Sequence, residues 1–95
     1  MGEHLAIARV SVKSASDTDA IAKAIASLAK ASRREKGCKT YEVFSNTETP
    51  GDLLIRKINT DTEALAYHKT TSHIAEFEHA IDGLAVVDVR AFDIS

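Results

Sequence analysis

Alternating apolar positions open the chain and predict a first strand over residues 4–13. The odd positions begin apolar and turn polar at Arg9. The even positions are apolar throughout, namely Ala6, Ala8, Val10 and Val12. Such alternation with a period of two residues is typical of a strand that buries one face. We therefore expect the fold to begin with a strand.

A helical pattern follows the polar loop 14–19 and continues to about Arg34. Its apolar stripe recurs every three or four residues and comprises Ala20, Ile21, Ala24, Ile25, Leu28 and Ala31. This spacing predicts an amphipathic helix. Gly37 is expected to end the helix in the left-handed conformation that glycine adopts readily at this position.

Two further strands are predicted at residues 38–46 and 53–59, and a last strand at residues 84–94. Pro50 and Gly51 lie between the second and third strands and are typical of a tight turn. Because these two strands are close in sequence, we expect them to pair antiparallel as a hairpin.

The segment from Thr60 to Asp82 predicts two consecutive helices with a break between them. Thr60 and Glu63 have the spacing of a capping box at the start of the first helix, and Ser72 is suited to cap the second. The apolar stripe of the second helix consists of Ile74, Phe77 and Ile81. His68 then falls near the end of the first helix and His73 at the start of the second, and Gly83 follows both.

The resulting order, β-α-β-β-α-β, predicts one α+β domain over residues 1–95. It is the ferredoxin-like split βαβ pattern, with a four-stranded antiparallel sheet and helices on one face. Three of the strands are apolar on both sides over their first halves, in the segments 5–8, 53–55 and 84–87. Because one helix layer covers a single face, we expect a homodimer in which the second faces of two sheets pack together.

Composition and charge argue against several classes of function. The net charge of −2 and the absence of a long basic run give no reason to expect nucleic acid. Cys38 is the single cysteine, so no disulfide forms within the chain. No signal peptide or membrane-spanning stretch is recognisable, which makes the cytoplasm the expected location.

His68 is the predicted catalytic residue, because a neutral imidazole in an apolar cleft can take a proton from a phenol or an enol. The alternative is a histidine satisfied by a backbone carbonyl. His73 is predicted to line the same site or to face solvent, and His4 and His79 are expected to face solvent. Tyr41 is either a hydrogen-bond donor to a substrate or a structural tyrosine. No metal site is expected, because the histidine spacings do not match those of zinc sites on helices and Cys38 is on another element.

The segments EKGCKTYEV and AYHKTTSH carry a family resemblance. In this order and spacing they resemble the antibiotic biosynthesis monooxygenase family, and the likeness extends over nearly the whole chain. It implies a dimeric α/β barrel. Members include cofactor-free oxygenases of aromatic polyketides and quinols, haem-degrading relatives, and an isomerase of a phosphorylated signalling molecule. The segment AYHKTTSH resembles that last branch most.

The sequence departs from the family at the end of the third strand. Many oxygenases of the family carry Glu-x-Trp where this chain has Arg56, Lys57 and Ile58. Ile58 at the tryptophan position removes a stacking surface and an N–H donor from the expected pocket. Arg56 at the glutamate position is predicted to hold an anionic substrate group, or else to pair with a carboxylate such as Glu42 or Asp88 across the subunit interface.

Three functions therefore follow as hypotheses. The first is cofactor-independent monooxygenation of a small electron-rich aromatic or quinol, with His68 as the base and Tyr41 and Arg56 as donors to the oxyanion. No Gly-rich dinucleotide motif is present, in keeping with an enzyme without a cofactor. The second is an isomerase or tautomerase of a small phosphorylated or carboxylated carbonyl compound. The third is a non-enzymatic dimer that binds a small ligand.

Overall fold

The computed structural model describes residues 2–94, which form a sheet covered by helices on one face. The elements are β1 (His4–Val12), a short 3₁₀ turn (Ala15–Asp17), α1 (Thr18–Ser32), β2 (Cys38–Ser45), β3 (Asp52–Asn59), α2 (Thr62–Lys69), α3 (Ser72–Ile81) and β4 (Ala85–Asp93). The strands are ordered β2-β3-β1-β4 and all pair antiparallel. This confirms the predicted α+β fold of the ferredoxin-like type.

The inner face of the sheet packs against α1 and α3 and forms the hydrophobic core. The strands contribute Val10, Tyr41, Leu53 and Ile55, and the helices contribute Ile21, Ile25, Leu28, Phe77 and Ile81. Every one of these residues is at least about nine-tenths buried. Of the predicted α1 stripe, Ile21, Ile25 and Leu28 are buried as expected, whereas Ala20 is exposed and Ala29 is buried instead.

The outer face of the sheet is not covered by any described element of the chain. Directly paired residues share a face, so the register places Ile7, Arg56 and Glu42 in one row across the outer face, and Arg9, Leu54 and Phe44 in the next. Four large apolar side chains of this face are 37–56% exposed, namely Phe44, Leu54, Val86 and Phe92. An apolar surface of this kind typically marks an interaction site.

The helix starts differ from the sequence-based prediction by one residue. Asp61, not Thr60, caps α2, and its side chain accepts a hydrogen bond from the backbone N–H of Ala64 at 2.8 Å. Thr71, not Ser72, precedes α3, and it makes no capping hydrogen bond through its side chain. Asp and Thr both suit this position, so local sequence alone does not distinguish the neighbours.

Gly37 was expected to end α1 in the left-handed conformation, and this expectation is wrong. Only Gly51 and Gly83 have positive φ angles among the described glycines, so Gly37 is not in the left-handed conformation. Helix α1 ends at Ser32, and a series of turns leads from there to Gly37 and β2. Gly83 does follow α3 as predicted, with a φ of 76°. No helix among residues 2–94 is long and apolar enough to cross a membrane.

Candidate active site

Gly37 allows helix α2 to lie close to the turn between α1 and β2. A Cβ atom added at Gly37 would lie 2.2 Å from the Cβ of Ala64, which is well inside the normal contact distance. The backbone carbonyl of Gly37 also accepts a hydrogen bond from the N–H of Thr60 at 2.9 Å. Because His68 follows Ala64 by one helical turn, this close approach directs His68 toward the same turn.

A buried cluster of three polar side chains results. His68 Nδ1 lies 2.7 Å from Oε2 of Glu35, and His73 Nε2 lies 2.5 Å from the same oxygen. The side chains of His68 and Glu35 are 2% and 6% exposed, and that of His73 is 20% exposed. The end of α2, the start of α3 and the turn after α1 therefore converge on one carboxylate oxygen.

The carboxylate determines which nitrogen of His68 carries the proton. An ionised carboxylate only accepts hydrogen bonds, so Glu35 requires a proton on Nδ1 of His68. The Nε2 atom is then the acceptor of the neutral ring, and it is buried without a partner among residues 2–94. Burial lowers the pKa of His68 below its ordinary value of 6.5, and the hydrogen bond to Glu35 opposes this effect in part. His68 is thus neutral at pH 7, with a free lone pair on Nε2.

An apolar cavity of about 310 Å³ lies between the sheet and the helices, next to this cluster. Its walls are formed mainly by small and apolar residues of β1, β3, β4, α1 and α3, among them Ala6, Ile55, Ile74, Phe77 and Val89. A cavity of this size is at the lower end of the range for small-molecule sites. It can hold a compact aromatic ligand.

Tyr41 connects the cavity to the histidine cluster. It lines the cavity, is 5% exposed, and its ring centroid lies 6.4 Å from that of His68. Burial raises the pKa of Tyr41 to about 12, so its hydroxyl is neutral and able to donate a hydrogen bond. His68 itself is not in the cavity wall. It lies beyond Tyr41, which separates it from the cavity.

Lys57 is the cationic side chain of the cavity wall. It pairs with Tyr41 on one side and Ala6 on the other, which places all three on the helix-covered face. Burial lowers the pKa of Lys57 below 10.5, and the negative charge of Glu35 acts in the opposite direction. The Lys57 charge also contributes to lowering the pKa of His68. The ammonium group is therefore near the cluster and next to Tyr41.

The predicted site residues fall into two groups. Tyr41, His68 and His73 come together on the inner face, as one site requires. Arg56 and Ile58 lie on the outer face, on the other side of the sheet from His68, so the expected single pocket containing all five residues does not form in this chain. Arg56 instead forms an ion pair with Glu42 of the same chain at 2.6 Å.

Two residues of the site were not found from the sequence. Glu35 lies among basic residues after α1, a pattern typical of a solvated helix end, although it is two residues before the family-like Gly37. Lys57 was passed over in favour of its neighbours. Of the other histidines, His79 is exposed as expected, but His4 is buried and lies 3.1 Å from Asp93. Its pairing with the last strand explains this burial.

The cluster also contains atoms that can bind metal. One oxygen of Glu35 and one nitrogen each of His68 and His73 lie within 4.8 Å of one another. Two imidazoles and a carboxylate suit several divalent transition metals. The sequence argument against a metal considered only the histidines and Cys38 and omitted Glu35. However, ligand atoms around a tetrahedral zinc ion are roughly 3.3 Å apart, whereas the two contacts to Glu35 are 2.5 and 2.7 Å and are hydrogen bonds.

Solved structures with the same fold include several named relatives. A protein of unknown function from Bacteroides thetaiotaomicron, described as a possible oxidoreductase, is 26% identical with a TM-score of 0.89, and 98% of each chain is covered. A protein from Shewanella oneidensis is 24% identical with a TM-score of 0.91, covering 98% of this chain and 91% of that one. A structure named antibiotic biosynthesis monooxygenase is 22% identical with a TM-score of 0.88, covering 97% and 98%.

The family model gives the most direct assignment. No curated protein shows significant sequence similarity to the chain. The model for the antibiotic biosynthesis monooxygenase domain, in contrast, matches residues 4–80, from the first strand through most of α3. This range contains Tyr41, Lys57 and the whole histidine cluster. The chain therefore belongs to the antibiotic biosynthesis monooxygenase family.

Proposed function

We propose that the protein is a cofactor-independent monooxygenase of small electron-rich aromatics, such as quinols, with His68 as its catalytic base. One observation carries the proposal. An apolar cavity is lined by Tyr41, next to which lies His68, whose buried Nε2 has no hydrogen-bond partner among residues 2–94. Family membership and a structural neighbour named as a monooxygenase support the same reaction class.

The proposed reaction begins with removal of a proton from a substrate hydroxyl. His68 accepts that proton on Nε2 and becomes an imidazolium ion. Because His68 does not line the cavity and lies beyond Tyr41, the reacting hydroxyl must reach past the Tyr41 ring. Glu35 stabilises this cation through the hydrogen bond to Nδ1 and keeps the ring in one orientation. Tyr41 donates a hydrogen bond to the substrate oxygen, where negative charge has developed. His73 hydrogen-bonds to the same oxygen of Glu35, so we propose that it positions the pair.

The ionised substrate then reacts with O₂ without a further reductant. An aromatic oxyanion is electron-rich and transfers an electron to O₂, and the two radicals combine at a ring carbon. For a naphthol, one oxygen atom remains on the ring, the ring C–H is lost, and the other oxygen atom leaves as water. The product is a naphthoquinone, and all four electrons that reduce O₂ come from the substrate. The apolar walls reduce the amount of water around the reactive anion.

We further propose that the enzyme is a homodimer formed through the outer face of the sheet. The exposed apolar side chains on that face and the single helix layer support this arrangement. Strand β4 gives further support, since its four outward-facing residues, Val86, Asp88, Arg90 and Phe92, are all exposed in the single chain. A chain of 95 residues gains stability by burying such a surface against a second copy.

The test is oxygen uptake by the purified protein with a panel of quinols, naphthols and anthrones. Uptake of one mole of O₂ per mole of product, with one oxygen atom inserted and no hydrogen peroxide released, supports the proposal. Exchange of a proton next to a substrate carbonyl with solvent, without oxygen uptake, would establish the isomerase hypothesis instead. Ligand binding with neither activity would leave the protein as a binding dimer and would contradict the proposed catalysis.

A further inference from the structure

We propose that the cavity binds an aromatic carboxylic acid in its ionised form, and that the carboxylate pairs with the ammonium group of Lys57. This deepens the proposed function, because it concerns the same cavity and adds the class of its ligand. The ligand is then a hydroxyaromatic acid, whose carboxylate lies at Lys57 and whose neighbouring hydroxyl lies toward Tyr41 and His68.

The register of the sheet gives Lys57 its position. Direct pairing with Tyr41 and Ala6 places it on the inner face, where all three residues line the cavity. Arg56 and Ile58, one residue to either side, point to the outer face. Lys57 is therefore the one residue of this triplet that can reach a ligand between the sheet and the helices.

Among the described residues, no ion pair neutralises the charge of Lys57. It forms no ion pair with any carboxylate among residues 2–94. The acid whose charge acts on it is Glu35, whose Oε2 atom accepts hydrogen bonds from His68 and His73 and whose buried Oε1 atom makes no hydrogen bond to Lys57. Lys57 is partly exposed, but its side chain lines an apolar cavity, and charges in such surroundings are normally paired. A ligand carboxylate would supply the missing negative charge.

The rest of the cavity wall determines how such a ligand is oriented. Glu78 and Asp82 also line the cavity, and both are exposed at its other side, beside Gly83. Their negative charges repel a carboxylate, whereas Lys57 attracts it. The apolar walls between these two ends suit an aromatic ring. An anionic ring compound is thus favoured with its carboxylate inward and its apolar edge toward the opening.

The experiment compares 1-hydroxy-2-naphthoate with its uncharged amide, which has nearly the same shape. Binding is measured under nitrogen through naphthol fluorescence, which is distinct from protein emission because the chain has no Trp. We expect wild type to bind the acid more tightly than the amide. Lys57→Met should weaken binding of the acid about 10- to 100-fold, the usual effect of losing a hydrogen bond between charged groups, and change binding of the amide less than about threefold.

Arg56→Met is the comparison variant, since it removes the same charge from the next residue on the opposite face. We expect it to retain the preference for the acid. Loss of that preference in Arg56→Met but not in Lys57→Met would overturn the proposal. So would equal binding of acid and amide by wild type, or equal weakening of both ligands in Lys57→Met. Circular dichroism and light scattering check that each variant is folded and has the oligomeric state of wild type, and Lys57→Gln replaces Lys57→Met if the latter fails this check.

This result is separable from the proposed oxygenation. The binding measurement requires no turnover, so selective binding of the acid without oxygen uptake would support the role of Lys57 and contradict the monooxygenase. Oxygen uptake with neutral naphthols, combined with no preference for the acid, would support the monooxygenase and contradict the role of Lys57.

Discussion

Replacing Gly37 with alanine tests whether the close approach of α2 builds the site. The φ angle of Gly37 is not positive, so alanine meets no conformational barrier there, and on an open surface the change would be slightly stabilising. The added methyl group, however, would lie 2.2 Å from the Cβ of Ala64. Normal carbon contacts are about 3.5–4.0 Å, so α2 must move by roughly 1.5 Å. Such a shift away from the turn extends the 2.7 Å contact between His68 and Glu35 beyond hydrogen-bonding distance.

The expected cost follows from these two effects. Overpacking typically costs about 1–3 kcal/mol, and a lost hydrogen bond to a buried charged group costs about 1–3 kcal/mol. We therefore expect Gly37→Ala to lower the free energy of unfolding by about 2–6 kcal/mol and to reduce kcat/KM as well. The assay is urea unfolding followed by far-UV circular dichroism, at one protein concentration for all variants.

The matched control is the double variant Gly37→Ala with Ala64→Gly, which removes the clashing methyl group. Ala64→Gly alone should cost about 1 kcal/mol through helix propensity. The double variant should be more stable than Gly37→Ala, with a coupling energy of about 1–3 kcal/mol between the two sites. The reasoning is refuted if Gly37→Ala unfolds within about 0.5 kcal/mol of wild type, or if Ala64→Gly brings no recovery.

Three further predictions concern pH and assembly. Because burial lowers the pKa of His68, the unfolded chain binds more protons than the folded one just below pH 6.5. Acidification through that range should therefore reduce both stability and kcat/KM, and His68→Gln should lose this part of the pH dependence of unfolding. The pKa of Tyr41 is about 12 when folded and 10 when unfolded, so about 3 kcal/mol of stability should be lost between these pH values, and Tyr41→Phe should lack this loss. Light scattering should give a dimer at micromolar concentration, and a stable monomer would contradict packing through the outer face.

The sequence predicted the order of elements because its periodicities are strong and local. The stripes of α1 and α3 and the alternation in β1 each identify one face of an element. His68 followed from the same reasoning, since it lies one helical turn after Ala64. These patterns indicate which face of a helix or strand is buried. In the structure, most of the apolar stripe residues of α1 and α3 and the even positions of β1 do face the core.

The facing of β3 did not follow from its sequence. Its residues LLIRKIN are apolar on both sides at the start, so no alternation indicates which of Arg56 and Lys57 points inward. A shift of one residue reverses every side chain of a strand. Only the pairing with β1 and β2 settles the question, and it places Lys57 in the cavity.

Glu35 was missed for a related reason. It lies in a short turn among basic residues, where a charged side chain is normally solvated. Its burial depends on α2 and α3, which are more than 25 residues later in the chain. The contact of Gly37 with Ala64 brings these segments together, and it has no signature in the local sequence.

The most direct test of base catalysis by His68 is ¹⁸O₂ incorporation into the product by wild type and His68→Ala, using protein whose spectrum and metal content have been measured. We predict one labelled atom per quinone, with protein that shows no flavin or haem absorbance and no stoichiometric metal. His68→Ala should stay folded and react about 10²–10⁴-fold more slowly. A His68→Ala rate within a few-fold of wild type, or activity that follows a bound metal or chromophore, would contradict the account.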